Sequence, residues 1–189
     1  MTSRTDDPDG EPRGFDEIAD ELYSLRPDAF TAARDEQVRA AREAGRRDLA
    51  RDPGKLRRPT QSAWLVNLVR RDQPEVVDEL IGLGEEMATA HTGGSPSDLH
   101  ELTSRRRDLE GRLVRRAREL AEEAGVPATA DMAREAQETL AAALADPEAA
   151  ADVRSGRLVR PVAYSGFGAA FPPMPPSTAP AEESAAAGT

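Results

Sequence analysis

From Phe15 onward the apolar residues of this chain recur every three or four positions, and proline and glycine punctuate the runs. That period is one face of an α-helix, whereas a half-buried strand needs a period of two. No alternating stretch of useful length occurs, so the predicted fold class is all-α, a single bundle-like domain of six to seven helices. The first covers about 15–25, with Phe15, Ile18, Leu22 and Leu25 on one stripe. Pro27 suits the first turn of a second, running to about Arg51 with Phe30, Ala33, Val38, Ala41, Gly45 and Leu49 inward, until Asp52-Pro53-Gly54 ends it.

A third helix is expected from Pro59-Thr60 to about Asp72, and a fourth from Pro74 to about Ala90 with Val77, Leu80, Ile81, Gly84 and Ala88 inward. Ser95-Pro-Ser-Asp98 is a capping signal for the longest helix, to about Ala124, with Leu99, Leu102, Leu109, Leu113 and Leu120 inside. A sixth spans about 130–145. Asp146-Pro147 starts a short seventh that ends near Gly156. The third helix stands apart because Ala63 to Val69 are apolar except for Asn67. A helix apolar nearly all round is normally surrounded by others.

The stripes are thin. Leu, Ile, Val and Phe number 32 of 189 residues, about 17%, below the roughly 20% at which a chain tends to stay unfolded. None of the 32 lies in residues 1–13 or 172–189. The expected organisation is therefore a disordered acidic N-terminus over 1–13, a helical domain over 14–171, and a disordered Pro/Ala-rich tail over 172–189. Alanine fills the rest of the apolar faces, allowing close helix approach while burying little area per residue.

Composition excludes several chemistries. The chain has no cysteine, so it carries no disulfide and no thiolate metal site, as suits a reducing cytoplasm. Residues 1–13 have no apolar core and do not read as a signal peptide. The apolar runs fall far short of the roughly 20 residues that span a bilayer. A cytoplasmic protein without membrane contact is expected.

The two histidines, His91 and His100, have only Asp98 and Glu101 close in sequence, too few for a zinc site. Tyr164-Ser-Gly-Phe-Gly168 lacks the first glycine of a nucleophile elbow, and neither Gly82-x-Gly84 nor Gly166-x-Gly168 completes a dinucleotide loop. No cofactor is expected, and no enzyme.

Charge is the remaining lead. The formal net charge is −10, which opposes general binding to a phosphate backbone. Yet the basic residues cluster. Arg105, Arg106, Arg107, Arg112, Arg115, Arg116 and Arg118 crowd the longest helix, where Glu110, Glu119, Glu122 and Glu123 stand at pairing distance. Such a face is either salt-bridged or a surface for an anionic partner. Lys55, Arg57 and Arg58 precede the third helix, and Arg70 and Arg71 follow it. A basic loop entering a helix with Gln61 and Ser62 at its start could be a helix-turn-helix element, but Trp64, Leu65, Val66, Leu68 and Val69 leave no polar face for a groove. Trp64 reads better as a core anchor, with Asn67 bonded to a neighbouring backbone group because an unpaired buried amide is costly.

Residues 157–171 form the third unusual stretch. Pro161, Gly166 and Gly168 preclude a helix, while Leu158, Val162, Tyr164, Phe167 and Phe171 are too apolar for a free linker. The segment reads as an extended strap across the helices, or as a docking segment for another protein.

Four pieces of the chain taken together resemble a known family. They are Glu21-Leu-Tyr-Ser-Leu-x-Pro-x-x-Phe-x-x-Ala-Arg34, Leu56-Arg-Arg-Pro-Thr-x-x-Ala-Trp-x-x-Asn67, Ser104-Arg-Arg-Arg107 and Gly156-Arg-Leu-x-Arg-Pro-x-x-Tyr-x-Gly-Phe-Gly168. The family is one of alanine- and arginine-rich, all-helical actinobacterial proteins, and the similarity would extend from Phe15 to Gly168. The resemblance implies a bacterial cytoplasmic origin. It brings no catalytic residue and no activity.

The expected function is a non-enzymatic protein-interaction or regulatory module with a protein partner. Its candidate contacts are Lys55, Arg57, Arg58, Arg70, Arg71, Arg105, Arg106, Arg107, Arg112 and Arg115, with Tyr164 and Phe167 of the strap. The alternative is a DNA- or RNA-associated protein using the same arginines. Oligomeric state is not encoded in these patterns.

Overall fold

Side chains at helix starts and prolines at first positions divide the chain into its helices. The computed structural model describes residues 14–163; both expected tails, and the strap beyond Ala163 with Tyr164 and Phe167, lie outside the described residues. Among the described residues the fold is all-α, with eight α-helices, one short 3-10 turn and no strand. The helices are α1 (Phe15–Ser24), α2 (Pro27–Glu43), α3 (Arg47–Arg51), α4 (Gln61–Asp72), α5 (Pro74–Gly93), α6 (Pro96–Glu123), α7 (Ala130–Ala145) and α8 (Pro147–Ser155), with the 3-10 turn at Pro53–Lys55. Pro27, Pro74, Pro96 and Pro147 each open a helix, where a missing N–H costs nothing.

Thr60 Oγ1 accepts from the Ala63 N–H at 3.2 Å, so Thr60 caps α4 and Pro59 stays outside it. Ser95 and Asp98 form the expected reciprocal cap of α6, at 3.2 and 3.0 Å. Thr129 and Asp146 cap α7 and α8 by single bonds, their side-chain oxygens accepting from the Met132 and Glu148 N–H groups at 3.2 and 2.8 Å.

One helix of the sequence reading is two. Gly45 adopts φ +71°, the Gly45 N–H donates to Arg42 O and the Arg46 N–H to Ala41 O. This pair of bonds ends α2 in a left-handed glycine cap and sends α3 back against it. Gly45 is accordingly exposed rather than inward-facing. On α5 the inward position is Met87, and Ala88 faces out.

The main core joins α4, α5, α6, α7 and α8 around Trp64, Leu65, Val66, Leu80, Leu83, Leu113, Leu140 and Val153. In α4, Ser62 through Asn67 are all buried, as its apolar circumference requires. A second, smaller cluster joins α1 and α2 around Leu22, Tyr23 and Phe30. The Tyr23 and Phe30 rings are tilted at 54° with centroids 5.2 Å apart, a favourable aromatic geometry.

At the α5–α7 contact Gly84 is indispensable for close approach, since a Cβ there would lie 2.0 Å from the Leu144 carbonyl oxygen.

Candidate functional site

The basic stretch before α4 is held by its backbone. Arg34 Nη1 donates to Leu56 O at 3.0 Å, the Tyr23 hydroxyl donates to Arg57 O at 3.1 Å, and the Thr60 N–H donates to Val159 O at 2.9 Å. Three distant elements, α1, α2 and the segment after α8, thus fix residues 56–60. Burial raises the Tyr23 phenol above its ordinary value, which keeps it a donor. The Arg57 and Arg58 side chains are exposed and have no acceptor among the described residues. Lys55 is also exposed but pairs with Asp52 at 2.8 Å.

Arg70 and Arg71, expected to share that surface, are engaged inside the fold. Arg70 donates to the carbonyls of Arg154 and Pro74 and to Asp78. Arg71 donates to Asp20 and to Gly156 O. Arg157 completes the clasp by reaching Asp20 at 3.0 Å and Asp16 at 2.7 Å. The Arg157 hydrogen bond, with the charges of Arg157 and Arg71, holds the Asp20 carboxyl below the usual carboxylate range. These arginines cover the carbonyl end of α8, where positive charge is favourable, and lock it to α1 and α4.

The α6 cluster divides in the same way. Arg105 pairs with Glu79 at 2.7 Å and with Glu86 at 3.5 Å across to α5. Arg116 grips Asp72 with two bonds, at 2.8 and 3.0 Å, and also reaches Glu119 and Glu123. That grip lowers the Asp72 carboxyl. Arg106 is half-buried beside Glu110 at 3.8 Å. Arg107, Arg112, Arg115 and Arg118 remain exposed with no acceptor of their own among the described residues.

Nothing in the sequence reading marked Glu110 as interior, yet it is buried in the core face of α6. Its Oε1 has no hydrogen-bond partner, and desolvation raises its pKa despite the charge of Arg106. The available signal was its position on the turn between Leu109 and Leu113. Ser62, considered for base contact, is buried and donates to Glu135 at 2.5 Å. A helix-turn-helix reading therefore loses one of its two candidate base-reading residues.

The described part of the segment after α8 is anchored to α4 and α7. Leu158 is buried, its N–H donates to Asn67 Oδ1 at 2.8 Å, and Asn67 Nδ2 donates to Leu158 O at 3.0 Å. Farther on, the Val162 N–H donates to Thr139 Oγ1 at 3.0 Å.

Among the described residues no group of three or more His, Asp or Glu is placed to hold a metal ion, and no helix is long and apolar enough to cross a membrane. No protein family, no curated protein and no solved structure matches the chain.

Proposed function

We propose that this protein is a non-enzymatic interaction or regulatory module that docks an acidic segment of a partner protein on Arg57 and Arg58. The observation that supports this reading is the contrast between backbone and side chains over residues 56–60. Three long-range hydrogen bonds immobilise the loop, while its two arginine side chains are exposed and have no acceptor among the described residues. A backbone that is already fixed loses little entropy on binding, and each guanidinium group can form two parallel bonds to a carboxylate. The outer face of α6 adds a second basic surface through Arg107, Arg112, Arg115 and Arg118.

A protein partner fits better than a nucleic acid. The chain carries ten net negative charges, and Asp108, Glu119 and Glu122 interrupt the α6 arginines. Such alternation suits a partner of mixed charge and repels a continuous phosphate backbone.

The test is site-specific photocrosslinking in native cells, with the probe at Gln61 beside the arginine pair. A discrete adduct should form, and Arg57→Glu/Arg58→Glu should abolish it while leaving the unfolding free energy within about 0.5 kcal/mol of wild type. Absence of any stoichiometric adduct, together with a purely monomeric native mass, overturns the proposal. So does a low-salt gel shift in which the same double variant loses binding to DNA or RNA.

A further inference from the structure

The break at Gly45 creates a feature that a continuous helix over 27–51 could not have. Because α3 folds back on α2 and the 3-10 turn follows at once, the three elements enclose an open depression of about 790 Å3. That is within the size range of small-ligand sites. Its apolar lining includes Val38 and Ala50, each less than a tenth exposed. Its charged lining is Arg42 at the end of α2, Arg47 and Arg51 on α3, and Lys55, the chain's only lysine.

We propose that this corner is a binding site for a small ligand of the phosphate monoester or pyrophosphate class, one that carries at least two negative charges. The charges set the class. Asp52 bridges Arg51 and Lys55 at 3.1 and 2.8 Å, and Asp48 lies 3.5 Å from Arg51. Those two acids balance two of the cations and orient them. Arg42 and Arg47 have no acceptor among the described residues, so the depression presents a net charge of +2 in a chain of net −10. Concave placement is what separates this group from the α6 arginines. The latter lie along the convex outer side of one helix with acids between them, whereas Arg42 and Arg47 approach one concavity from successive helices. Guanidinium groups converging on a phosphate form the strongest class of protein hydrogen bond, and the apolar lining can receive the ligand's uncharged part.

Isothermal titration of the full chain with pyrophosphate at low ionic strength tests the site. Saturable 1:1 uptake with a Kd at or below about 1 mM is expected. In Arg42→Ala/Arg47→Ala the Kd should rise by about tenfold or more, since each lost bond is charge-assisted. Arg112→Ala/Arg115→Ala removes the same charge from α6 and should leave uptake unchanged. Far-UV circular dichroism should show both variants folded, because all four side chains are exposed and have no acceptor among the described residues. Absence of saturable uptake overturns the proposal. Equal weakening by the two double variants also overturns it, since it would reduce the binding to nonspecific charge attraction. Unchanged uptake in the Arg42→Ala/Arg47→Ala variant overturns it as well.

Discussion

Asn67 offers the sharpest test of how the C-terminal segment is attached. Its side chain is fully buried in α4 and makes two reciprocal bonds to the backbone of Leu158, at 3.0 and 2.8 Å, across 91 residues of sequence. Substituting alanine leaves the Leu158 N–H and C=O without partners. Leu158 is itself only 5% exposed, so water reaches neither group in the intact fold. Each orphaned buried group costs about 1–3 kcal/mol, and relief from burying the amide offsets part of that. The net loss for Asn67→Ala is therefore about 2–4 kcal/mol, a fall in Tm of about 5–15 °C for a domain of this size. Thermal unfolding of Asn67→Ala beside Gln61→Ala, an exposed control on the same helix, measures it. Hydrogen exchange at the Leu158 amide reads the cause, because its protection should fall more than that of Leu113 in the core. A loss below about 1 kcal/mol with Leu158 still protected would refute the two-bond account.

Other substitutions test the remaining physical claims. Trp64→Ala opens a cavity at a fully buried position and should cost about 3–5 kcal/mol in urea unfolding; retention of wild-type stability would show that α4 is not the centre of the core. Gly84→Ala drives a methyl group to 2.0 Å from the Leu144 carbonyl oxygen. Backbone must move to relieve that overlap, so the loss should be about 3 kcal/mol or more, and a near-neutral result would place α5 and α7 farther apart. Glu110→Gln tests a titration. A carboxyl whose folded pKa is raised contributes stability below its unfolded pKa, near 4.5, and that contribution is lost as pH rises through the folded value. The glutamine variant should therefore match wild type in acid and exceed its Tm at neutral pH; a variant less stable than wild type at neutral pH would assign the Arg106 pairing the larger effect.

Local chemistry explains which parts of this fold were readable. The cap of α6 was evident because Ser95, Pro96 and Asp98 satisfy the helix's own first N–H groups, which needs no other element. The burial of α4 was readable because no solvent-facing stripe can be drawn on residues 63–69. Gly45 was not readable for a physical reason. A glycine late in an apolar-periodic run can continue a helix at modest cost or end it in a left-handed turn, and burial of Val38 and Ala50 favours the turn only in the assembled corner. Glu110 was missed because a glutamate four residues after an arginine is the ordinary pattern of a solvated pair.

Clustering along the sequence was a poor guide to which arginines are free. Arg105 and Arg116 flank the Leu109–Leu113–Ala117 seam of α6, at the edge where a neighbouring helix passes. Each accordingly meets an acid from another helix, Glu79 or Asp72, that lies 26 or 44 residues away. Arg107, Arg115 and Arg118 occupy the side of α6 opposite that seam, with Arg112 at its margin, where no element among the described residues brings an acid to them. Arg70 and Arg71 follow the same logic at the end of α4, beside the carbonyl end of α8. In a chain with this surplus of acids, an arginine at the edge of a packing seam becomes a clasp. Solvent-facing arginines stay available to partners, and so do those lining a concavity or a backbone-clamped loop. By that criterion Arg57, Arg58, Arg42 and Arg47 are the residues whose loss should change what the protein binds while leaving its fold unchanged.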